Sequence, residues 1–164
     1  MFSLESVVPD KRLLMTDVHS KAVRSKNMAA IKDRNTVPEM LVRGALHKAG
    51  FRYRLHVASL PGKPDLVFPR YKAVIFVQGC FWHQHQCAMF HWPKTRTEWW
   101  RQKISANRKH DEAVQDKLRE LGWRVMLVWE CVLKGKHKVP LQHLTLDISH
   151  WLHHGGSFME LPVD

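Results

Sequence analysis

The sequence predicts an α/β fold, with helices around a small mixed sheet, on three observations. Segments with helical caps alternate with short apolar runs, at 73–77 and 125–129, which have the length of buried strands and fall far short of a bilayer span. Hydrophobic residues make up 45% of the chain and charged residues 25%, ordinary globular usage that argues against wholesale disorder. A length of 164 residues suits one domain and leaves little room for two.

In chain order, residues 1–14 carry no clear period and are expected to be an N-terminal extension outside the domain. Residues 20–34 have helical character, with Val23, Met28 and Ile31 apolar among Lys21, Arg24, Lys26 and Lys32. That apolar face is thin, as in an arm that orders on a partner. A firmer helix runs from 38 to 49: Thr36-Val37-Pro38-Glu39 fits a capping box with Pro in the first turn, and Gly50 supplies the stop. Strand signals follow at 51–57, after a turn at Pro61-Gly62 at 65–68, and after Pro69-Arg70 at 72–77. Residues 78–96 form a long connection rich in Gly, Cys, His, Trp and Pro. Thr97 opens a helical region that Gly122 closes. Residues 123–129 read as a strand covered on both faces, and 141–153 as a last helix. The domain is expected to span 15–155, with 156–164 a C-terminal tail.

Lys+Arg number 26 against Asp+Glu 15, a net charge of +11, which points to a polyanionic partner such as nucleic acid. The N-terminus, Met-Phe-Ser-Leu-Glu-Ser, lacks the basic and apolar regions of a secretory signal, so a cytoplasmic protein with no membrane partner is expected. Three cysteines make an awkward number for a secreted disulfide framework. Two of them share a histidine-rich stretch, which favours metal. Cys80-Phe-Trp-His-Gln-His85-Gln-Cys87, with Cys131 at the end of the last apolar strand, supplies the Cys₃His set of a closed structural Zn²⁺ site. His83 and His91 compete as ligands on this evidence, and three unrelated thiols are the bland alternative.

Pro64-Asp65 at the start of a strand can present a carboxylate to Mg²⁺ against a scissile phosphate, although Pro-Asp is also common turn chemistry. The next strand ends in Phe76-Val77-Gln78-Gly79 and lacks the acid-x-Lys pair that often accompanies such an acid, so another group must complete the site. In the helix after Thr97, Trp100, Ile104, Val114, Leu118 and Leu121 form one stripe that Asn107 and Asp111 interrupt. A buried Asp111 could orient an imidazole as a general base. A helix break near Ser105 would instead leave both residues in solvent. Phe81-Trp82, Phe90, Trp92, Trp99 and Trp100 lie among Lys94, Arg96 and Arg101, a mixture suited to wedging into or stacking on bases, with core packing the default for any single ring.

Five stretches together resemble one family, the very short patch repair (Vsr) endonucleases. They are Arg24-Ser-Lys-Asn-Met28, Ser59-Leu-Pro-Gly-Lys-Pro-Asp65, Gly79-Cys-Phe-Trp-His83, Thr95-Arg-Thr-Glu-Trp-Trp100 and Gly122-Trp-Arg-Val-Met-Leu-Val-Trp-Glu-Cys131, collinear from about residue 15 to 133. The resemblance implies a restriction-endonuclease-like fold and an enzyme that nicks duplex DNA 5′ to the thymine of a T:G mismatch, starting repair of deaminated 5-methylcytosine. It assigns Asp65 and the Val77 carbonyl to Mg²⁺, His83 as general base supported by Asp111, and Glu39 as an acidic active-site residue, which competes with the capping-box reading. Cys80, His85, Cys87 and Cys131 become the structural Zn²⁺ ligands. Phe81, Trp82 and Trp100 become the wedging aromatics, and Lys26, Asn27, Met28, Ile31 and Asn107 further DNA-contacting residues, those of the arm on the minor-groove side. Many relatives place Thr-His where this chain has Val77-Gln78. Gln78 can hydrogen-bond but cannot take and hold a proton as His can, which leaves His83 the more important base. The expected protein is a monomer acting on nucleoid DNA, with general mismatch-repair proteins as candidate partners. The alternatives are a related nuclease for another lesion or sequence and a non-catalytic zinc module that binds nucleic acid.

Overall fold

The computed structural model describes residues 20–163; the extension expected at 1–14 lies outside them. Its elements run α1 (Lys21–Ala29), α2 (Val37–Lys48), β1 (Arg54–Leu55), β2 (Leu66–Phe68), β3 (Ala73–Gln78), α3 (Thr97–Glu120), β4 (Arg124–Trp129), α4 (Leu141–His154) and β5 (Phe158–Leu161). The strands form one mixed sheet in the order β1-β2-β3-β4-β5. β1, β2 and β3 pair antiparallel, and β3, β4 and β5 pair parallel.

Strand alternation divides the core in two. Leu66, Phe68, Ala73, Ile75, Met126 and Val128 face α2 and α4, whose Val42, Leu46, Leu144, Ile148 and Trp151 cover them. The intervening residues Val67, Val74, Val125, Leu127 and Trp129 face α3 through Val114 and Leu118, and this second cluster continues into Cys80 and Cys131. The central strands are therefore buried on both faces, as their unbroken apolar runs predict.

Helices α2 and α3 stop as the sequence predicts. Gly50 and Phe51 donate to the carbonyls of His47 and Leu46, and Gly122 and Trp123 repeat the pattern on Arg119 and Leu118, two Schellman closures. Thr36 caps α2 by accepting from the Glu39 N–H at 3.4 Å. Helix α1 begins at a Ser20 cap and buries none of its residues, consistent with the thin apolar face.

Several expectations are corrected. The strand expected over 51–57 is only Arg54–Leu55, because Phe51 is drawn into the core beneath α2 and His56 turns the chain with a left-handed φ of 45°. The segment 156–164, expected to be a tail, contains β5, held by the pairing of Val125 to Phe158 through Val128 to Leu161. As an edge strand with only Leu161 buried, β5 has too faint an apolar pattern to stand out. Leu121, placed on the buried stripe by its period, is exposed because it caps α3. Helix α3 runs unbroken through Ser105. Among the described residues no helix is long and apolar enough to cross a membrane.

Candidate active site and metal centre

The first half of the site is built by the β1–β2 hairpin against α2. Leu55 pairs with Leu66, and extending that register by one residue sets His56 opposite Asp65. Asp65 Oδ2 accepts a 2.7 Å hydrogen bond from the N–H of Val77, locking the carboxylate to the end of β3. The His56 ring lies between two acids: its Nδ1 is 3.8 Å from Asp65 Oδ1, and its Nε2 is 3.0 Å from Glu39 Oε1. The Nε2 contact is close but not aligned as a hydrogen bond, and that nitrogen is buried. Glu39 is 2% exposed, and Arg43 Nη1, one turn further along α2, sits 3.1 Å from the same oxygen. The carboxylate thus turns into the site, although its backbone N–H serves the helix cap.

Burial pushes the Asp65 carboxyl up to about 6. The Val77 N–H offsets part of this, the negative charge of Glu39 adds to it, and His56 and His83 pull it down. Two acids in one desolvated corner, with an imidazole between them, make a donor set that suits a divalent cation. Asp65 is the acid singled out in the sequence and Glu39 the one with two competing roles. His56 carries no motif spacing, and only the hairpin register, centred between Leu60 and Pro61, could have signalled it.

The second half comes from the 78–96 loop against α3. His83 Nδ1 makes a short hydrogen bond to Asp111 Oδ2, with both side chains about one-fifth to one-quarter exposed. One turn earlier on α3, Asn107 Nδ2 donates 3.1 Å to the carbonyl of Trp82. Asn107 and Asp111 interrupt the apolar stripe because each clasps this loop, one by its backbone and one by its histidine. The dyad opens onto a cleft of about 310 Å³ whose walls include Gln78, Arg108, Gln115 and Glu160. The two halves meet at the end of β3, where the Val77 N–H holds Asp65 and the next residue, Gln78, lines the cleft.

Beside it, one ligand atom each from Cys80, His85, Cys87 and Cys131 lie within 4.8 Å of one another. His85 Nδ1 is 3.7 Å from Cys80 Sγ and 3.5 Å from Cys131 Sγ. A tetrahedral Zn²⁺ with legs of about 2.3 Å to sulfur and 2.0–2.1 Å to nitrogen puts such atoms about 3.5 Å apart. Burial pushes the Cys80 and Cys131 thiols up, and the charge of a neighbouring thiolate raises each further. A divalent cation reverses both effects, so this donor set could hold one. His83 is committed to Asp111, and the histidine of the cluster is His85, stacked on Trp129 at 4.3 Å. His91 stands outside the group, exposed. Two ligands, Cys80 and His85, bracket Phe81, Trp82 and His83, so a metal here would fix the rings and the imidazole together.

Those rings form one cluster. Phe81 meets Trp82 and Trp100 edge-on, both at 5.2 Å, and Trp82 lies 5.9 Å from Trp100. All three are half-buried, while Trp99 is exposed beneath the Arg96 guanidinium at 5.0 Å. Lys26, Asn27 and Met28 are displayed on the exposed surface of α1 rather than packed into the cluster.

Comparison with known proteins gives a consistent result. Residues 16–89 match the family model for DNA mismatch endonuclease Vsr. The DNA mismatch endonuclease Vsr of Escherichia coli (strain K12) is 48% identical over 138 residues, covering 84% of this chain and 88% of that protein. The type II nicking enzyme V.XorIIP of Xanthomonas oryzae pv. oryzae is 47% identical over 119 residues, 73% of this chain and 88% of the relative. V.NmeAIP, a type II nicking enzyme of Neisseria meningitidis, is 43% identical over 122 residues, 74% and 87% of the two chains.

Proposed function

Because this chain belongs to the family of DNA mismatch endonuclease Vsr, we propose that it nicks one strand of duplex DNA at a T:G mismatch, 5′ to the thymine, and so opens repair of deaminated 5-methylcytosine. A five-stranded mixed sheet with the acid at the head of one strand suits the restriction-endonuclease-like core that this reading implies. The observation that carries the mechanism is the His83–Asp111 pair on a cleft whose wall continues through Gln78 to Val77, the residue that holds the Asp65 carboxylate beside the buried Glu39.

Asp111 fixes the orientation and tautomer of His83 through Nδ1, which leaves Nε2 to receive the proton of an attacking water. The oxygen of that water bonds to phosphorus as the 3′-oxygen departs, leaving a 5′-phosphate on the thymine strand. Mg²⁺ held by Asp65, with the Val77 carbonyl as a further ligand, would polarise the phosphoryl oxygen and stabilise the leaving group. Asp65 is held for that task by the Val77 N–H, and Glu39 adds a second charge behind it. The clustered rings of Phe81, Trp82 and Trp100 would wedge between base pairs; unstacking costs a few kcal/mol and is cheapest at a mismatched step, which would supply part of the selectivity. The exposed Lys26, Asn27 and Met28 of α1 would contact the same duplex. A cytoplasmic monomer suits a reaction on one strand, which needs no two-fold symmetry.

Replacing Asp65 with Ala separates an enzyme from a binding module. Nicking of a T:G duplex with Mg²⁺ should be lost while duplex affinity stays within a few-fold. Nicking that survives Asp65→Ala at the unaltered rate would remove this carboxylate from the mechanism.

A further inference from the structure

The third member of the acidic corner, His56, has a geometry that the nicking mechanism above leaves unused. Its Nε2 is buried, has no aligned hydrogen-bond partner, and lies 3.0 Å from Glu39 Oε1. Two ligands at right angles around an ion with legs of about 2.1 Å are separated by about 3 Å, so this spacing is that of adjacent ligands on one cation. A ligand oxygen of Asp65 falls within the same 4.8 Å cluster. Asp65 Oδ2 is engaged by the Val77 N–H, and its Oδ1 is 3.8 Å from Nδ1, the other nitrogen of the ring. The left-handed φ of 45° at His56 places a non-glycine residue in a costly backbone region beside the reacting centre, a placement that the hairpin register enforces. Arg43 shares Glu39 Oε1 and offsets part of the acidic charge, which tempers the site's demand for a hard, highly charged ion.

We propose that His56 is a protein ligand of the catalytic divalent cation, joining Asp65 and Glu39, and that this nitrogen makes the site hold Mn²⁺ more tightly than Mg²⁺. Oxygen-only sites suit Mg²⁺, whereas an imidazole adds affinity for Mn²⁺ and later transition ions. The carboxylates alone still admit Mg²⁺. The inference rests on the nuclease reading, because it is that reading which puts a catalytic cation on Asp65.

The test uses the zinc-loaded full-length protein and Mn²⁺ as the probe. Mn²⁺ binding is measured by the loss of the free-ion electron paramagnetic resonance signal, with Mg²⁺ as competitor, and the bound ion is examined for nitrogen coupling by spin-echo modulation. The wild type should show ¹⁴N coupling, and Asp65→Ala should remove the bound ion and the coupling together. H56Q should bind Mn²⁺ about tenfold more weakly with no ¹⁴N coupling, and its Mg²⁺ affinity should change much less. Bound Mn²⁺ without ¹⁴N coupling in the wild type, or coupling that persists in H56Q, overturns the assignment. Where H56Q loses zinc or fails to fold, His83→Gln takes its place: ¹⁴N coupling that survives removal of the other imidazole of the site upholds His56 as the ligand, and coupling lost there overturns it. Nicking of a T:G duplex is scored separately: its absence with either ion would reject the nuclease reading, while the spectra still report whether His56 binds the ion.

Discussion

At the scale of single residues, Asp65 is the carboxylate that its partly buried environment shifts upward. Its carboxyl is raised to about 6 by burial, so in the metal-free protein the stability tied to its protonated form is fully present below about pH 4 and is lost as the pH rises through 6. Asp65→Asn keeps an acceptor for the Val77 N–H and removes the buried charge. Metal-free Asp65→Asn should therefore melt higher than the wild type at pH 7.5, by roughly 5 °C for a gain on the order of 2 kcal/mol, and the gain should shrink towards pH 4. Scanning calorimetry across that range checks it; a variant that melts lower at pH 7.5 would refute the desolvation account. Proton and cation compete for the same oxygens, so nicking should also fall as the pH drops below 6. His83→Gln should slow nicking by about 10²-fold or more, and Asp111→Asn, which acts only through His83, by a smaller factor, both in single-turnover assays with duplex affinity unchanged. Asp65, His83 and Asp111 drew their roles from the family resemblance, since local signals left Asp65 as possible turn chemistry, His83 as a competing zinc ligand and Asp111 open to a solvated position. His56 was not legible, since only a hairpin register makes it the neighbour of Asp65. Nor was Arg124, whose guanidinium gathers the carbonyls of Tyr71, Trp151, Leu152 and Gly155 from segments far apart in the chain.

At the scale of elements, the 78–96 loop works only while both of its anchors hold. The Cys₃His cluster fixes one side and α3 clasps the other through Asn107 and Asp111. Cys131→Ser should cost the bound zinc and at least about 2 kcal/mol of stability, with nicking falling in step; zinc retained at one equivalent in that variant would remove Cys131 from the ligand set. The hairpin is as sensitive. Gly62 has φ +69°, and a Cβ there would lie 2.4 Å from Val114 Cγ1, so Gly62→Ala should lower both the melting temperature and the nicking rate by disturbing the turn that aligns His56 with Asp65. Helices were the most legible elements, since caps, stops and period are local signals. The Cys₃His cluster was legible through its donor chemistry. The short edge strands β1 and β5 were not, because two to four residues carry almost no period and their existence depends on a neighbouring strand to pair with.

At the scale of the molecule, a net charge of +11 meets a surface where Arg96, Arg101 and Lys103 ride on the rings of Trp92 and Trp99 close to the Phe81–Trp82–Trp100 cluster. Charge supplies affinity irrespective of sequence, and wedging supplies preference for a weak step. Trp82→Ala should therefore narrow the difference in nicking rate between mismatched and matched duplexes while leaving the salt dependence of binding unchanged, as titrations at several salt concentrations would show. Composition alone pointed to a polyanion; the mismatch entered with the resemblance to the Vsr endonucleases, which the relatives share. The central claim is tested most directly by mapping the cut on end-labelled duplexes that carry a single T:G pair in a panel of flanking sequences, with zinc-loaded protein and Mg²⁺. One nick per duplex, 5′ to the thymine, on the T strand alone and absent from the T:A control, is the predicted result. A panel left uncut in every context, or cut equally with T:A in place of T:G, would contradict it.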